Sequence, residues 1–566
     1  MRTSYCKKCD KTVRFYTDYG PKPDGWLYIC SECDTELNNN FKLCILAAGR
    51  GTRNNDIDGL HKGLLPLENK PAISHIIDNV DKSVEIVIAV GYKSEQIKSY
   101  MKEVHSDRKI KYVDIDNYDG PGSGPGYSLL SCKNELQSSF IFTSVDTIVS
   151  GQTEADIFSF INYNWIGVSD VDVADSISYC LVKGDESLDN LYYGRGNRAY
   201  IGMAGISDYK EFWESLESAK NLKDKYNDDL HEYQVTHGFD GLGNIKLVDF
   251  NWHDTGTNQT YRKAKEFFSN DVVANKKDEA IFIDEGKVVK YFDNPTRAKT
   301  RIKRAEYLNG NAPKVKLLND NMYSYDFVNG KLLSDVTDEK VLNKFLDFCK
   351  DKLWKENYTS YTNDGFVNDC KIMYEDKTKA RLSVMEDSKL DKIVEINGIE
   401  VKPVKDLLDD IDWKKLYENA IPTAFHGDLQ PENILYDEND DKFILIDWRE
   451  GFGNSKEMGD IYYDLSKLYH ALLINGNSIL KCMYDYKVNG DSSEVHFYAK
   501  SNLIYFKTIF EDWCNKNGYD WYNVELLGIL HYLNICTLYD NFQNGEYGKF
   551  LFLYGKYLLT KHLNNA

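Results

Sequence analysis

Between residues 426 and 449 the chain reads HGDLQPENILYDENDDKFILIDWR. Asp428 and Asn433 share a loop, the run ILY leads into an acidic turn, and FILID returns to a second acid, Asp447. Phosphoryl transfer asks for this set: one carboxylate beside the acceptor hydroxyl, and an Asn and an Asp to hold Mg²⁺ against nucleotide phosphates. A single acid on a hairpin is ordinarily just solvated; the ordered pattern carries the chemistry. A second set lies upstream. The apolar run FKLCILAAG enters Gly49-Arg50-Gly51-Thr52-Arg53, where glycines let backbone N–H groups approach phosphates and Arg53 adds charge. Lys62 follows in HKGLLPLENK, Asp146 closes the apolar run FIFTSVD, and Asp254 stands in WHDTGT. A third set is Cys6-x2-Cys9 and Cys30-x2-Cys33. Each C-x2-C bends so that both sulfurs face one ion, and two such knuckles complete a tetrahedron for zinc. Unligated cysteines or two redox pairs are the alternatives.

These residues need more than one scaffold. At 566 residues the chain exceeds a single core, and two large domains plus a small one are expected. A net charge of −20 argues against nucleic acid as a partner, since binding phosphate backbones takes clustered Lys and Arg. No apolar run is long enough to span a membrane and no N-terminal signal pattern is present, so membrane insertion is not expected. Twelve cysteines, with a single tight cluster of four, suit a metal site plus buried thiols in a reducing, cytoplasmic setting.

Residues 41–272 alternate strand, turn and helix, as a doubly wound α/β sheet requires. LAAGRGTR with a downstream Lys62 before LLP resembles the sugar-phosphate and phosphocholine nucleotidyltransferases, with His61-Lys62-Gly63 where that family usually has Pro-Lys-Pro. The resemblance implies a Rossmann-like fold and a nucleotide, CTP or UTP, held by Gly49, Gly51, Thr52 and Arg53. It further implies Lys62 on the α-phosphate and Mg²⁺ between Asp146 and Asp254. The glycine loop 119–126 is either a cover over the base or a plain connection, and 200–205 corresponds to the family's strand near the acceptor.

The 426–449 pattern resembles the small-molecule kinases related to choline kinases and aminoglycoside phosphotransferases, which share the bilobal protein-kinase fold without its D-F-G triplet. A kinase domain is thus expected over 273–566, with a small lobe at about 273–335 and a helical lobe at about 336–566. The resemblance implies Asp428 as base or orienter, Asn433 and Asp447 on Mg²⁺, Lys290 on the ATP phosphates, and Glu306 paired with Lys290. Asp460 or Asp464 would brace the catalytic loop. Trp448-Arg449 stands where relatives carry Trp-Glu. Trp448 and Tyr462 suit either core packing or a quaternary-ammonium pocket, and Lys377 and Arg381 either a solvated face or an anion contact. Residues 1–40 resemble a zinc ribbon, a unit too small to fold without its metal.

The whole is expected to be an α/β enzyme: a Rossmann-like nucleotidyltransferase, a bilobal kinase and a small zinc ribbon. ATP phosphorylates a small alcohol or sugar, and CTP or UTP then donates a nucleoside monophosphate to that phosphate. Unrelated substrates for the two domains, or a zinc-bearing scaffold with degenerate sites, are the other readings. The acceptor, the nucleobase and the oligomeric state are open.

Overall fold

The computed structural model describes residues 3–6, 11–17, 28–32, 36–37, 41–54, 56–151, 163–219, 232–268, 277–356, 362–539 and 542–565. It divides into two compact units, Met1–Asn270 with Asn275–Asp293, and Asp271–Ala274 with Asn294–Ala566.

At the start of the first unit, β1 (Thr3–Cys6), β2 (Lys11–Thr17), β3 (Tyr28–Cys30) and β4 (Glu36–Leu37) pair antiparallel in that order. Cys9 and Cys33 lie outside the described residues, and Cys6 and Cys30 are placed only as backbone positions on β1 and β3. The expected zinc site therefore falls outside what is described.

The main sheet is built from β5 (Lys42–Ala47), β8 (Glu85–Val90), β9 (Ile110–Asp114), β10 (Phe140–Ser144), β12 (Trp165–Asp170), β13 (Leu181–Lys183), β14 (Asn190–Tyr192), β15 (Arg198–Ile206) and β16 (Lys246–Asp249). A small hairpin, β6 (Pro66–Leu67) and β7 (Lys70–Pro71), and a pair, β11 (Thr147–Ser150) with β17 (Asn251–Asp254), stand beside it. The order is β14-β13-β15-β10-β5-β8-β9, with β12 and β16 off β15. Strands β10, β5, β8 and β9 run parallel, and β15 is antiparallel to β10. Parallel strands are covered on both faces, which is why Leu43–Ala47 and Ile86–Val90 read as unbroken apolar runs. The chain leaves β5 for β8 on one side and later returns to β10 on the other. Ligands bind at such a switch point, beyond the carboxyl ends of the strands. Both the 49–53 loop and Asp146 leave the sheet there.

Strands β18 (Glu279–Asp284) and β19 (Lys287–Phe292) form an antiparallel hairpin. From the sequence it is expected to open the second domain; the division into compact units groups it with the first. The Ile283 N–H donates to the Asn69 carbonyl at 2.7 Å. Buried Asp284 accepts from the Tyr100 hydroxyl at 3.0 Å and lies 3.3 Å from Lys70 Nζ.

The second unit is organised on the helix Ile461–Leu473, every residue of which is buried. A helix buried on every side belongs at the centre of a core, its few polar side chains paired there; Trp521–Cys536 packs against it, and Glu546–Asn564 packs on Trp521–Cys536 in turn. The hairpin Ile434–Asp437 with Lys442–Leu445 joins Lys331–Leu332 in a small sheet. The lobe expected to be mainly helical holds more strand than the expected hairpin. Glu395–Ile396, Ile399–Glu400, Tyr484–Asn489 and Ser492–Phe497 form a further sheet, in which short strands too brief to show a period meet across the chain. No helix among the described residues is long and apolar enough to cross a membrane.

Candidate active sites

In the first unit, the loop leaving β5 turns at Gly51, whose φ is +64°. A Cβ there would stand 2.9 Å from Cδ of Lys62, so glycine is demanded by backbone conformation and by the close approach of the lysine. Lys62 itself opens the short 3-10 turn Lys62–Leu64. His61 fixes that turn: its Nδ1 accepts from the Gly63 N–H at 3.0 Å and its Nε2 lies 2.9 Å from the Ala47 carbonyl. Burial, then the charge of Lys62, brings this imidazole down to about 4, so it is neutral, with Nε2–H as donor. A polar buried cap does here what a proline ring does by fixing φ.

Asp146 follows β10 directly, and β11 pairs with β17 so that Thr147 faces Asp254. That register, and the Thr255 N–H donating to the Asp146 carbonyl at 3.0 Å, bring the two aspartates together across more than a hundred residues of sequence. A Cβ added to Gly256 would lie 3.0 Å from Asp254 Oδ1, 3.4 Å from Asp146 Oδ2 and 3.8 Å from Arg53 Nη2, so all three groups face one small space. Lys62 Nζ is 2.9 Å from Asp146 Oδ2. Burial pushes the Asp146 carboxyl up, but the charge and hydrogen bond of Lys62 outweigh it and hold the group below its usual range. Burial, then the charge of Asp146, raises Asp254. The Gly256 N–H and the Tyr179 hydroxyl donate to Asp254 at 2.8 and 3.2 Å. Tyr179 had no motif to mark it; only the fold shows it.

Two clefts of about 560 and 650 Å³ meet at Arg53 and Asp146. Gly49, Gly51, Thr52, Lys62 and the glycine loop line the first. Gly124 and Gly126 pack that loop against the backbone at Tyr233 and Gln234, where a Cβ would come within 2.7 Å. The second is lined by Tyr179, Tyr193, Tyr200, Trp252 and Asp254. Two carboxylates, one raised by the other, with a gap that a Cβ would fill, fit a hard divalent cation completed by phosphate oxygens. Among the described residues there is no cluster of three or more His, Cys, Asp or Glu side chains suited to hold a metal alone.

In the second unit, Gly427 turns the loop with φ of +87°. Asp464 accepts from the backbone N–H groups of His426 and Gly427 at 2.7 and 2.6 Å and from Trp354 Nε1 at 3.1 Å, so it is the loop's brace. Burial raises it to about 6. Asp460 accepts from the Tyr374 hydroxyl and from the N–H groups of Ile421 and Tyr462. The hairpin register Ile434↔Leu445 sets Asn433 opposite Ile446, whose N–H donates to the Asn433 carbonyl. Asn433 Nδ2 donates to the Asp428 carbonyl at 2.8 Å. Asp428, Asn433 and the start of the 446–449 segment thus come together.

Asp428 Oδ1 lies 3.0 Å from Lys467 Nζ and accepts from Gln430 Nε2 at 2.9 Å. Asp447, with φ of +60°, accepts from Arg301 Nη1 at 2.7 Å. Neither Lys467 nor Arg301 was marked by the sequence reading; the spacing of Asp464 and Lys467, one turn apart on a helix, was the available signal for the first. Of the other two expected residues, Lys290 is buried on β19, and Glu306 is exposed at the end of the helix Pro295–Glu306, whose buried face is Ala298, Arg301 and Arg304. Trp448 and Tyr462 are both core residues, and Trp448 Nε1 donates to the Arg301 carbonyl.

Residues 43–157 match the model of the MobA-like NTP transferase domain. Bifunctional protein GlmU of Methanococcus vannielii is 31% identical over 150 residues, 26% of this chain and 34% of that protein. GlmU of Methanocaldococcus jannaschii is 25% identical over 258 residues, 44% of this chain and 58% of its own length. The chain thus spans about a third of the first of these curated relatives. Among solved structures, UDP-glucose pyrophosphorylase complexed with UDP-glucose aligns over 40% of this chain and 98% of its own, at 17% identity and a TM-score of 0.34. CTP:phosphocholine cytidylyltransferase from Streptococcus pneumoniae aligns over 41% and 100%, at 21% identity and a TM-score of 0.34. Residues 43–157 carry a domain of the MobA-like NTP transferase type, on an α/β, Rossmann-like nucleotidyltransferase fold.

Proposed function

We propose that the chain is a bifunctional enzyme in which a small-molecule kinase makes a phosphorylated acceptor and the nucleotidyltransferase joins it to a nucleoside monophosphate. The observation that carries the transferase half is the convergence of Lys62, Arg53, Asp146 and Asp254 where the two clefts meet. A nucleotide in the glycine-lined cleft would present its α-phosphorus there, and an acceptor phosphate in the aromatic cleft would face it. The acceptor's phosphate oxygen attacks the α-phosphorus, the bond to the β-phosphate oxygen breaks, and pyrophosphate leaves. Lys62 neutralises charge on the α-phosphate, and Arg53 holds the triphosphate. Asp146 and Asp254 would hold Mg²⁺, which stabilises the developing charge of the in-line displacement.

The kinase half is supported by the assembled Asp428–Asn433 loop and its Asp464 brace. An amide oxygen and a carboxylate are the hard donors that Mg²⁺ takes with ATP phosphates, and Asn433 and Asp447 supply them. Burial pushes the Asp428 carboxyl up, but Lys467 outweighs that and brings it to about 2. It therefore orients the acceptor hydroxyl as a hydrogen-bond acceptor. A small zinc ribbon at 1–40 completes the proposal. A second reading, unrelated acceptors for the two units, is favoured by one contrast: the transferase cleft is lined by aromatic side chains, whereas cations gather around Asp428.

The two readings separate in one experiment. The protein is incubated with ATP, CTP or UTP, Mg²⁺ and a panel of alcohols, sugars and hydroxy acids, with products identified by mass. Lys62→Ala should accumulate the phosphorylated acceptor, while Asp428→Asn should lose about 10²–10⁴ in kinase rate yet make nucleotide-linked product from added phosphorylated acceptor. If Asp428→Asn cannot use the phosphorylated compound that the wild type makes, the serial scheme is wrong.

A further inference from the structure

The helix Lys377–Leu382 carries cations of two kinds. Lys379 pairs with Glu375, and Lys371 just upstream with Asp376. Lys377 and Arg381 pair with no carboxylate among the described residues. Lys377 Nζ instead lies 6.0 Å from the centre of the Tyr463 ring. Arg449, two residues past Asp447, donates from Nη1 to the Tyr463 hydroxyl at 3.3 Å and stands 5.9 Å over the same ring. It too has no carboxylate partner among the described residues. Lys467, one turn after Tyr463 on the central helix, reaches Asp428. Lys377, Arg449 and Lys467 therefore gather around one buried phenol, and Lys467 links the group to Asp428. Arg381, on the same helix as Lys377, donates from Nη1 to the Asn534 carbonyl at 3.0 Å. His470 and His531 lie beside them, and both are held neutral by burial first and then by Lys467. Glu450, the nearest acid in sequence, is engaged by Arg297 and Arg301.

Unpaired cations crowded together in a partly buried site repel one another and lose hydration. The effect is visible in Lys377, which burial brings down to about 8. Such an arrangement is stabilised by an anion bound among them. Solvent reaches the place, since the Asp428 side chain is 34% exposed and Lys377, Arg381 and Arg449 are all partly exposed. A quaternary ammonium would meet Lys377 and Arg449 here, cations with no carboxylate partner among the described residues.

Resting on the kinase reading above, we propose that the acceptor phosphorylated at Asp428 is an anion, a small hydroxy compound with a carboxylate or phosphate held by Arg449 and Lys377. Asp428 then orients its free hydroxyl. The hydroxyl oxygen bonds to the γ-phosphorus, the bond to ADP breaks, and the hydroxyl proton leaves to solvent past Asp428.

The test measures steady-state kinetics of ATP consumption by the full chain with three acceptor arms: hydroxy acids such as glycerate and sugar acids, sugar phosphates, and choline with neutral sugars. Turnover is expected in one of the first two arms, and which one responds distinguishes carboxylate from phosphate. Lys377→Met and Arg449→Gln should each raise the acceptor KM about 10–100-fold, the loss of a charge-assisted hydrogen bond, with KM for ATP unchanged. Unchanged KM for ATP also reports that both variants fold. Turnover confined to choline or neutral sugars overturns the proposal and leaves the kinase standing. A rise in KM for ATP instead overturns it by assigning the cations to nucleotide phosphates. No ATP consumption in any arm overturns the kinase reading and this proposal together.

Discussion

Tyr463 and Lys377 show how two side chains acquire a shared task from their surroundings. Burial pushes the Tyr463 phenol up, but Arg449, Lys377 and Lys467 outweigh it and bring it to about 8. Burial brings Lys377 to about 8 from above. The signs agree: as pH rises through 8, Lys377 loses positive charge and Tyr463 gains negative charge. A group with this pKa falls from about nine tenths to about one tenth protonated between pH 7 and pH 9. The KM for an anionic acceptor should therefore climb about tenfold over that range while KM for ATP stays level, and Lys377→Met should flatten the climb. A level acceptor KM in the wild type would contradict the assignment. Asp428 stands apart from this titration, because Lys467 keeps it ionised far below pH 7.

At the scale of elements, each candidate site is a glycine turn clamped by a distant strand or helix. Gly427 has φ of +87°, and a Cβ on it would meet Cβ of Arg449 at 2.6 Å and the Phe425 ring at 2.9 Å. Neither neighbour is free to withdraw, since Phe425 is fully buried and the Arg449 N–H donates to the His426 carbonyl. Gly427→Ala should therefore cost about 1–3 kcal/mol in backbone strain alone, and more through the clash. Thermal unfolding should show it, along with loss of ATP consumption and intact pyrophosphate release from added phosphorylated acceptor. Unfolding at the wild-type temperature with full kinase activity would refute this account of the loop. The 434–445 hairpin was legible because ILYD and KFIL flank an acidic turn. The pairing of β11 with β17 was not, since strands four residues long and a hundred residues apart leave no local trace of register.

For the molecule as a whole, the net charge of −20 shapes its long-range field but does not dictate the character of a site. Lys377, Arg449 and Lys467 gather around Tyr463 all the same. Each unit has its own apolar core, whereas residues 1–40 are too few to bury one. Zinc content should accordingly be about one per chain, and a Cys6→Ser/Cys30→Ser variant should lose that zinc. Metal analysis decides, and unchanged zinc in the variant would remove the ribbon from the proposal.

The sequence by itself determined the residue types and their local order. LAAGRGTR with Lys62 located the nucleotide loop, and HGDLQPEN followed by IDW located the second loop, because backbone turns and phosphate contacts are specified within a few residues. It also marked Asp146 and Asp254 as a pair before any geometry joined them. Only the tertiary structure decided what surrounds each. His61 replaces a proline through two buried hydrogen bonds. Arg301 meets Asp447 from a helix that was expected to offer Glu306. Lys377, which the sequence left between a solvated face and an anion contact, converges with Arg449 on Tyr463. The physical reason is range: a turn or a strand depends on neighbours in sequence, while charge and burial depend on neighbours in space. The groups that set the ionisation of Asp428 and Tyr463 come from segments that only packing brings together.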